Sequence, residues 1–192
     1  MILVASFSIR AEEWYPGVVV LKSQKAIRGE LSIRYDYEVV LFRVGRETMV
    51  FPAHKVQSFY IYDEAKENNR QFISIQLSFG PATFHQFFEV ILDGTVSVLR
   101  RQRTVWYSVY LETMEFDYYV RCNEDVTAIQ KFKREVFPGL VESTSGALSS
   151  FVRQNKLKMY RLDDILLIID HYNQQQVDKD ALAKNQLTID KH

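Results

Sequence analysis

Five residues between positions 100 and 107 have side chains that could contact an anion or a partner: Arg100, Arg101, Arg103, Trp106 and Tyr107. Guanidinium groups bind phosphates and carboxylates, and exposed aromatic rings stack on nucleic-acid bases. The two residue types occur together at many single-stranded nucleic-acid sites. This segment is therefore the first candidate for a binding site.

The same segment also has a purely structural interpretation. Successive residues of a strand point to opposite faces, so Arg101 and Arg103 would point one way and Arg100 the other. Acidic residues on the next predicted hairpin could neutralise them, and basic residues at strand ends discourage edge-to-edge aggregation. These acidic residues are Glu112, Glu115 and Asp117. We favour a solvated strand edge and keep the five residues as a candidate contact for an anion or partner.

Patterns that mark an enzyme are largely missing from the sequence. It contains no Gly-x-Ser-x-Gly elbow, no glycine-rich phosphate loop and no His-Glu-x-x-His helix. His85 and Glu89 would lie some 13 Å apart on a strand, which is too far to share a metal ion. Cys122, the only cysteine, has no catalytic histidine near it in the sequence. We therefore expect no catalytic residue, no cofactor and no bound metal.

One acidic cluster needs a separate interpretation, because carboxylates beside a histidine could bind metal or transfer protons. Asp163, Asp164, Asp170 and His171 fall on a predicted helix, where Asp163 and Asp170 share one face and Asp164 and His171 share another. Acidic residues in a first helical turn stabilise the helix dipole. We interpret the cluster as caps and surface groups.

Composition places the chain among ordinary folded proteins. Its 192 residues are 47% hydrophobic and 25% charged, and 24 basic residues balance 24 acidic ones. Zero net charge provides no overall field to hold the chain on nucleic acid or an anionic membrane. No run approaches the roughly 18 apolar residues of a membrane-spanning helix. We expect no nucleic-acid partner and no transmembrane segment in the mature chain.

The elements that would position these residues are mostly strands between residues 14 and 122, which we predict to be a β body. Ile27, Leu31, Ile33 and Tyr35 alternate with polar residues, and Gly29 on the apolar side indicates a bulge or a close neighbour. Further on, Asp93-Gly94 between "FFEVIL" and "TVSVL" predicts a two-residue hairpin with positive φ at both turn positions.

Helical periodicity begins after residue 123, and we predict a helical segment over 123–174. Asp125 is a candidate N-cap of the first helix, and Pro138-Gly139 would stop that helix. Two more helices are predicted in "STSGALSSFVRQN" and "RLDDILLIIDHYN". The polar residues 175–192 would form a mobile tail or a loosely docked helix. Residues 1–13 are either a clipped signal peptide or a first strand or mobile terminus.

A resemblance to a known family follows from the strand pattern "VVVLKSQKAIRGELSIRYDYEVVLF", the later "FPAHKVQSFYIYD" and the pair Tyr172-Asn173. Over residues 14–173 the chain resembles an uncharacterised family of exported, β-rich bacterial proteins of the Bacteroidetes type. It departs from that family in "LKSQKAI", where a Gly-Asp turn is more common. The resemblance implies export and a β-rich fold. The first strands also resemble SH3-like and Sm-like small barrels in topology.

These observations predict an α+β fold, in which a curled antiparallel β meander, small barrel or roll precedes a C-terminal helical segment. The function we expect is non-enzymatic: an exported protein, periplasmic or secreted, with a structural or binding role at the bacterial cell envelope and an envelope or protein partner. The alternative is a cytoplasmic nucleic-acid-binding or regulatory module that uses an SH3-like barrel. The sequence leaves the ligand and the oligomeric state open.

Overall fold

The computed structural model describes residues 13–103 and 116–189, with the backbone alone for 178–189. It contains ten strands: β1 Tyr15–Leu21, β2 Ala26–Arg34, β3 Val39–Val44, β4 Glu47–Pro52, β5 Val56–Asp63, β6 Asn68–Phe79, β7 Ala82–Leu92, β8 Val96–Gln102, β9 Phe116–Cys122 and β10 Asp125–Ala128. Three α-helices follow: α1 Phe137–Ser143, α2 Ala147–Gln154 and α3 Leu162–Ile189.

The strands form an antiparallel sheet with the hydrogen-bonding order β10-β9-β8-β7-β6-β5-β1-β2-β3-β4. Among the described residues this order has two ends and does not close on itself. The predicted α+β class, a β meander followed by a helical segment, is therefore confirmed, and the sheet is open.

The chain divides into two compact units, which we call unit 1 (Met1–Phe87) and unit 2 (Phe88–His192). The boundary falls inside β7, between two adjacent phenylalanines. Both are buried, with Phe87 at 0% and Phe88 at 1% exposure.

Unit 1 has a core built from one face of each of its first strands. Gly29 lies on that face, where a Cβ atom would be only 2.6 Å from the backbone oxygen of Arg43 and 2.8 Å from the Phe42 ring. The close neighbour expected at Gly29 is thus present. Ten buried residues form this core: Val19, Leu31, Val40, Phe42, Ala53, Val56, Phe59, Ile61, Phe72 and Phe87.

Unit 2 packs its helices on the apolar face of its strands. Its core joins residues of β8 and β9 to the π-helical turn Phe132–Val136 and to all three α-helices: Val96, Val98, Val120, Phe132, Leu140, Leu148, Val152, Ile165, Ile168, Ile169 and Tyr172. Short amphipathic helices gain most of their stability from such packing. The strands after residue 88 and the helices therefore share one hydrophobic core.

The helical segment begins later than predicted. Asp125 begins β10, which pairs with β9 from Asp125 opposite Cys122, and helical turns start only at Ile129. Pro138 and Gly139 do not end a helix: they lie in the first turn of α1, which directly continues the π-helical turn Phe132–Val136. For residues 175–192, where either a mobile tail or a loosely docked helix was expected, the backbone is helical to Ile189.

A side-chain amide joins α3 to the start of β8. Asn173 is 7% exposed, accepts a hydrogen bond from the Val96 N–H (2.9 Å) and donates one to the Val96 carbonyl (2.8 Å). A Cβ atom at Gly94 would be 2.4 Å from the Asn173 amide nitrogen. Of the two residues in the predicted Asp93-Gly94 turn, only Gly94 has a positive φ. The prediction of a two-residue turn with positive φ at both positions is therefore wrong. The loop instead leaves space for the Asn173 side chain at Gly94, which has no Cβ atom.

None of the helices in the described part of the chain is both long enough and apolar enough to cross a membrane.

Candidate functional site

The structure separates the arginines of the candidate segment into different environments. Arg100 lies opposite Glu89 in the pairing of β8 with β7, and its Nε and Nη2 atoms each donate to the Glu89 carboxylate at 2.9 Å. Its guanidinium also lies 4.3 Å from the centre of the Phe116 ring. The Glu89 side chain is only 5% exposed and that of Arg100 is 22% exposed. Burial opposes the charge of Arg100, but Glu89 outweighs burial and raises the pKa of Arg100.

Arg103 is more exposed and pairs with Asp117, as the sequence suggested. The Arg103 Nε atom lies 3.1 Å from Asp117 Oδ1, and this pairing raises the pKa of Arg103. Arg101 lies opposite Asp117 in the pairing of β8 with β9. Because β8 has a neighbour on each side, it is not an edge strand, and the solvated-edge interpretation is wrong for Arg100. Trp106 and Tyr107 lie outside the described residues.

A cavity of about 710 Å³ lies in unit 2, and Arg103 is among its lining residues. This volume falls in the range of roughly 300 to 1,000 Å³ that is typical of small-molecule sites. Strand β9, the turn after β10 and the segment leading into α3 supply mostly apolar and aromatic side chains. Those that define its shape are Phe116, Tyr118, Ile129, Leu157, Met159 and Ile165.

The charged groups of the cavity are mainly cations. Lys133 and Lys158 join Arg103 in the lining, and both lysines are exposed to solvent. Of the lining residues that the structure describes, only Asp117 carries a carboxylate, and Arg103 already binds it. Among the residues that the structure describes, no carboxylate forms an ion pair with Lys133 or Lys158. Among the described residues, the lining thus combines apolar side chains with an excess of positive charge.

Sequence reasoning identified Arg103 as a candidate but missed the rest of this cavity. Its lining comes from four separate stretches between residues 103 and 165, and their spacing in the sequence follows no motif. The cluster of Arg100, Trp106 and Tyr107 with Arg103 drew attention to the right strand. The Lys158-x-Tyr160 pair, with the ammonium 6.0 Å from the ring centre, gave a weak local signal that was overlooked.

Two other residues considered in the sequence, His85 and Cys122, make contacts within the fold of their own unit. His85 Nε2 accepts a hydrogen bond from Lys22 Nζ at 2.8 Å, and its ring lies 6.5 Å from that of His54. Burial, then the charges of Lys22 and His54, lower the pKa of His85. Cys122 is a free, partly buried thiol that packs against the core of unit 2.

The acidic cluster of α3 is dispersed. The Asp164 carboxylate accepts from the Lys158 N–H at 2.9 Å, which makes it a cap for the turn before α3. Asp170 accepts from the Gln174 amide, and His171 stacks on Phe151 with the ring centres 3.7 Å apart. Within residues 13–103 and 116–177, no three His, Cys, Asp or Glu side chains are grouped closely enough to hold a metal ion.

Unit 1 carries exposed aromatic side chains on the outer face of its sheet. Tyr60 and Tyr62, at 43% and 41% exposure, alternate on β5 with buried residues. Val18 pairs with Tyr60 and with Arg28, so these three side chains lie in one row across the outer face. The row combines aromatic and basic groups in the way that single-stranded nucleic-acid sites do.

In comparisons with known proteins, no family model, no curated protein and no solved structure matched this chain.

Proposed function

We propose that this chain is a non-enzymatic binding protein of the bacterial cell envelope, and that the cavity of unit 2 holds a molecule with an apolar body and an anionic head group. The observation that carries the proposal is the combination of an apolar lining with two exposed lysines that form no ion pair within the described part of the chain. Apolar pockets with a few well-placed polar groups are the usual form of a ligand site.

The ligand class follows from the chemistry of the lining. An apolar body gains free energy by covering Phe116, Leu157 and Met159, at about 25 cal/mol for each Å² removed from water. An anionic head would lie near Lys133 and Lys158, where charge-assisted hydrogen bonds are stronger than neutral ones. Neutral or cationic amphiphiles would leave these lysines without a partner. A long-chain carboxylate, sulfonate or phosphate ester fits both requirements.

The envelope location rests on the leader-like residues 1–13 and on the resemblance to exported bacterial proteins. It is independent of the cavity and has its own test. Fractionation of cells that express the full reading frame with a C-terminal tag should place the protein in the periplasm or the medium. Recovery of the tagged protein with cytoplasmic enzymes would refute the location and leave the binding proposal standing.

The binding proposal is tested with decanoate and decanol, which have the same chain and differ in the charge of the head group. We expect decanoate to displace a fluorescent anilinonaphthalene sulfonate probe at micromolar concentration and decanol to do so at least about tenfold less well. Lys133→Met with Lys158→Met should remove this preference. Arg134→Met is the matched control, because Arg134 is a cation next to Lys133 but does not line the cavity.

Two results would contradict the proposal. Equal displacement by decanoate and decanol would remove the role of the lysines. Equal loss of decanoate binding in Arg134→Met would show that overall charge, and not the cavity mouth, attracts the ligand.

A second candidate function is a nucleic-acid-binding or regulatory module in unit 1. The order β5-β1-β2-β3-β4, with a 3-10 turn at Ala53–Lys55 just before β5, resembles the topology of SH3-like barrels. The row of Tyr60, Val18 and Arg28 on the outer face specifically favours this candidate. It would provide a stacking surface with one cation beside it.

Fluorescence anisotropy with a single-stranded oligonucleotide tests this second candidate. Binding that weakens steeply with salt and is lost in Tyr60→Ala with Tyr62→Ala would support it. Tyr160→Ala, at an exposed tyrosine of unit 2, is the control. Absence of binding at low salt would eliminate this function.

A further inference from the structure

Strand β4 lies at the end of the sheet order, and among residues 13–103 and 116–189 its one neighbouring strand is β3. Natural sheets usually protect such an edge with charges, prolines or a covering segment, because the open row of N–H and carbonyl groups can pair with another strand. The four residues Thr48 to Phe51 carry no charge. Met49 is 42% exposed and Val50 is 57% exposed.

The register of β3 with β4 shows which backbone groups face the open edge. Ala53 N–H donates to the Glu38 carbonyl at 2.8 Å, and hydrogen-bonded pairs in an antiparallel ladder recur at every second residue. Glu47, Met49 and Phe51 therefore use their backbone groups toward β3. The N–H and carbonyl groups of Thr48 and Val50 consequently point away from the sheet.

Pro52 has the same orientation as Thr48 and Val50 but has no N–H to donate. Arg46 and Glu47 are charged at the other end of the strand. An incoming strand would therefore pair with the uncharged stretch between these limits. Thr48 and Val50 offer two donors and two acceptors over that stretch.

We propose that β4 pairs antiparallel with β4 of a second copy of this chain, with Met49 on the two-fold axis. In this register Thr48 of each protomer lies opposite Val50 of its partner, and four backbone hydrogen bonds form without needing a donor from Pro52. Self-pairing around a two-fold axis is the commonest form of homodimer. Thr48 with Val50 is a cross-strand pair of β-branched residues, which stabilises sheets.

Registers in which the two-fold axis is moved by one residue along β4 do not give the same four hydrogen bonds. Moving the axis to Val50 places Thr48 opposite Pro52, which has no N–H, and moving it to Thr48 places Val50 opposite Arg46 in the hairpin turn. Met49 facing Met49 also covers the exposed part of both side chains. The sequence of β4 is thus suited to a copy of itself in one register.

Disulfide trapping in the full chain tests the register. With Cys122→Ala removing the native thiol, Met49→Cys places two cysteines at a non-hydrogen-bonded pair, where Cα atoms are about 4.5 Å apart and a disulfide can form. Thr48→Cys is the matched control, because the two residues 48 would be diagonal neighbours about 7 to 8 Å apart. We expect the first variant to form a disulfide-linked dimer under mild oxidation and the second to stay monomeric.

Sedimentation analysis of the unmodified chain gives the second measurement. The protein should change from 22.6 kDa toward twice that mass as concentration rises, and Val50→Lys should shift the midpoint at least tenfold higher. Phe79→Lys, at a residue 80% exposed outside β4, should leave the midpoint unchanged. A monomer at every concentration, an unaltered dimer in Val50→Lys, or equal crosslinking of the two cysteine variants would overturn the proposal. Circular dichroism confirms that each variant is folded.

Discussion

The ion pair between Arg100 and Glu89 offers the sharpest test of how the arginine segment is built. Arg100→Met keeps most of the side-chain length but leaves the Glu89 carboxylate, 5% exposed, without its bidentate partner. Arg103→Met removes the neighbouring exposed pair with Asp117. The two substitutions change the net charge equally, so any difference between them reports the surroundings of the two arginines.

Breaking a fully buried ion pair costs about 3 to 5 kcal/mol, because one charge stays buried and uncompensated. The Arg100 side chain is 22% exposed, so water can reach the site, and Glu89 retains a further contact besides Arg100, so the lower limit, about 3 kcal/mol, applies. For a chain of this length a change of 1 kcal/mol shifts the melting temperature by about 2 to 4 °C. We therefore expect Arg100→Met to melt about 6 to 12 °C below the parent.

Thermal unfolding followed by far-ultraviolet circular dichroism, together with urea unfolding, measures this difference. Arg103→Met should melt within error of the parent. The double variant Glu89→Leu with Arg100→Met should recover most of the loss, since replacing a buried ion pair by apolar groups is often neutral. The reasoning would be refuted if both single arginine variants lost the same stability, or if the double variant were less stable than Arg100→Met.

Three other predictions follow from contacts within one unit or the other. Phe87→Ala and Phe88→Ala should each lower the free energy of unfolding by about 3 to 5 kcal/mol in urea titrations, and a loss below about 1 kcal/mol at either would contradict its burial. Asn173→Ala should cost about 2 kcal/mol or more, because it leaves two buried backbone groups of Val96 unpaired, whereas Gln174→Ala, which is exposed, should cost little. Burial and the hydrogen bond to Glu13 raise the pKa of Tyr15 to about 12, above its unfolded value near 10. The associated stability is complete below pH 10 and is lost as the pH rises toward 12, so Tyr15→Phe should flatten the alkaline decline in melting temperature.

Local signals in the sequence predicted the strands well where a single residue determined the geometry. Alternation around Gly29 predicted both the strand and its close neighbour, since a Cβ atom there would collide with β3. At Asp125 the local signal failed. An acidic residue before an apolar helical repeat suits an N-cap, but Asp125–Ala128 pairs with β9, and that tertiary pairing overrides a weak local preference.

The candidate site was predictable only in part, for a similar physical reason. The alternation rule placed Arg100 and Arg103 on opposite faces, and the structure gives them different partners, Glu89 and Asp117. Which face is buried depends on the strands on either side, and no periodicity within β8 reports that. The cavity likewise requires β9 and the segment before α3 to be near each other, which the sequence does not encode over any short window.

The hydrogen bonds of Asn173 also affect when each unit can complete its fold during synthesis on the ribosome. All ten residues of the unit 1 core are present once synthesis has reached Phe87. Val96, in contrast, forms its hydrogen bonds with the side chain of Asn173, which is 77 positions further along the chain. At a translation rate of about 5 to 20 residues per second, this delay lasts about 4 to 15 seconds. During that interval the N-terminal half can fold while the nascent second half still exposes its apolar strands.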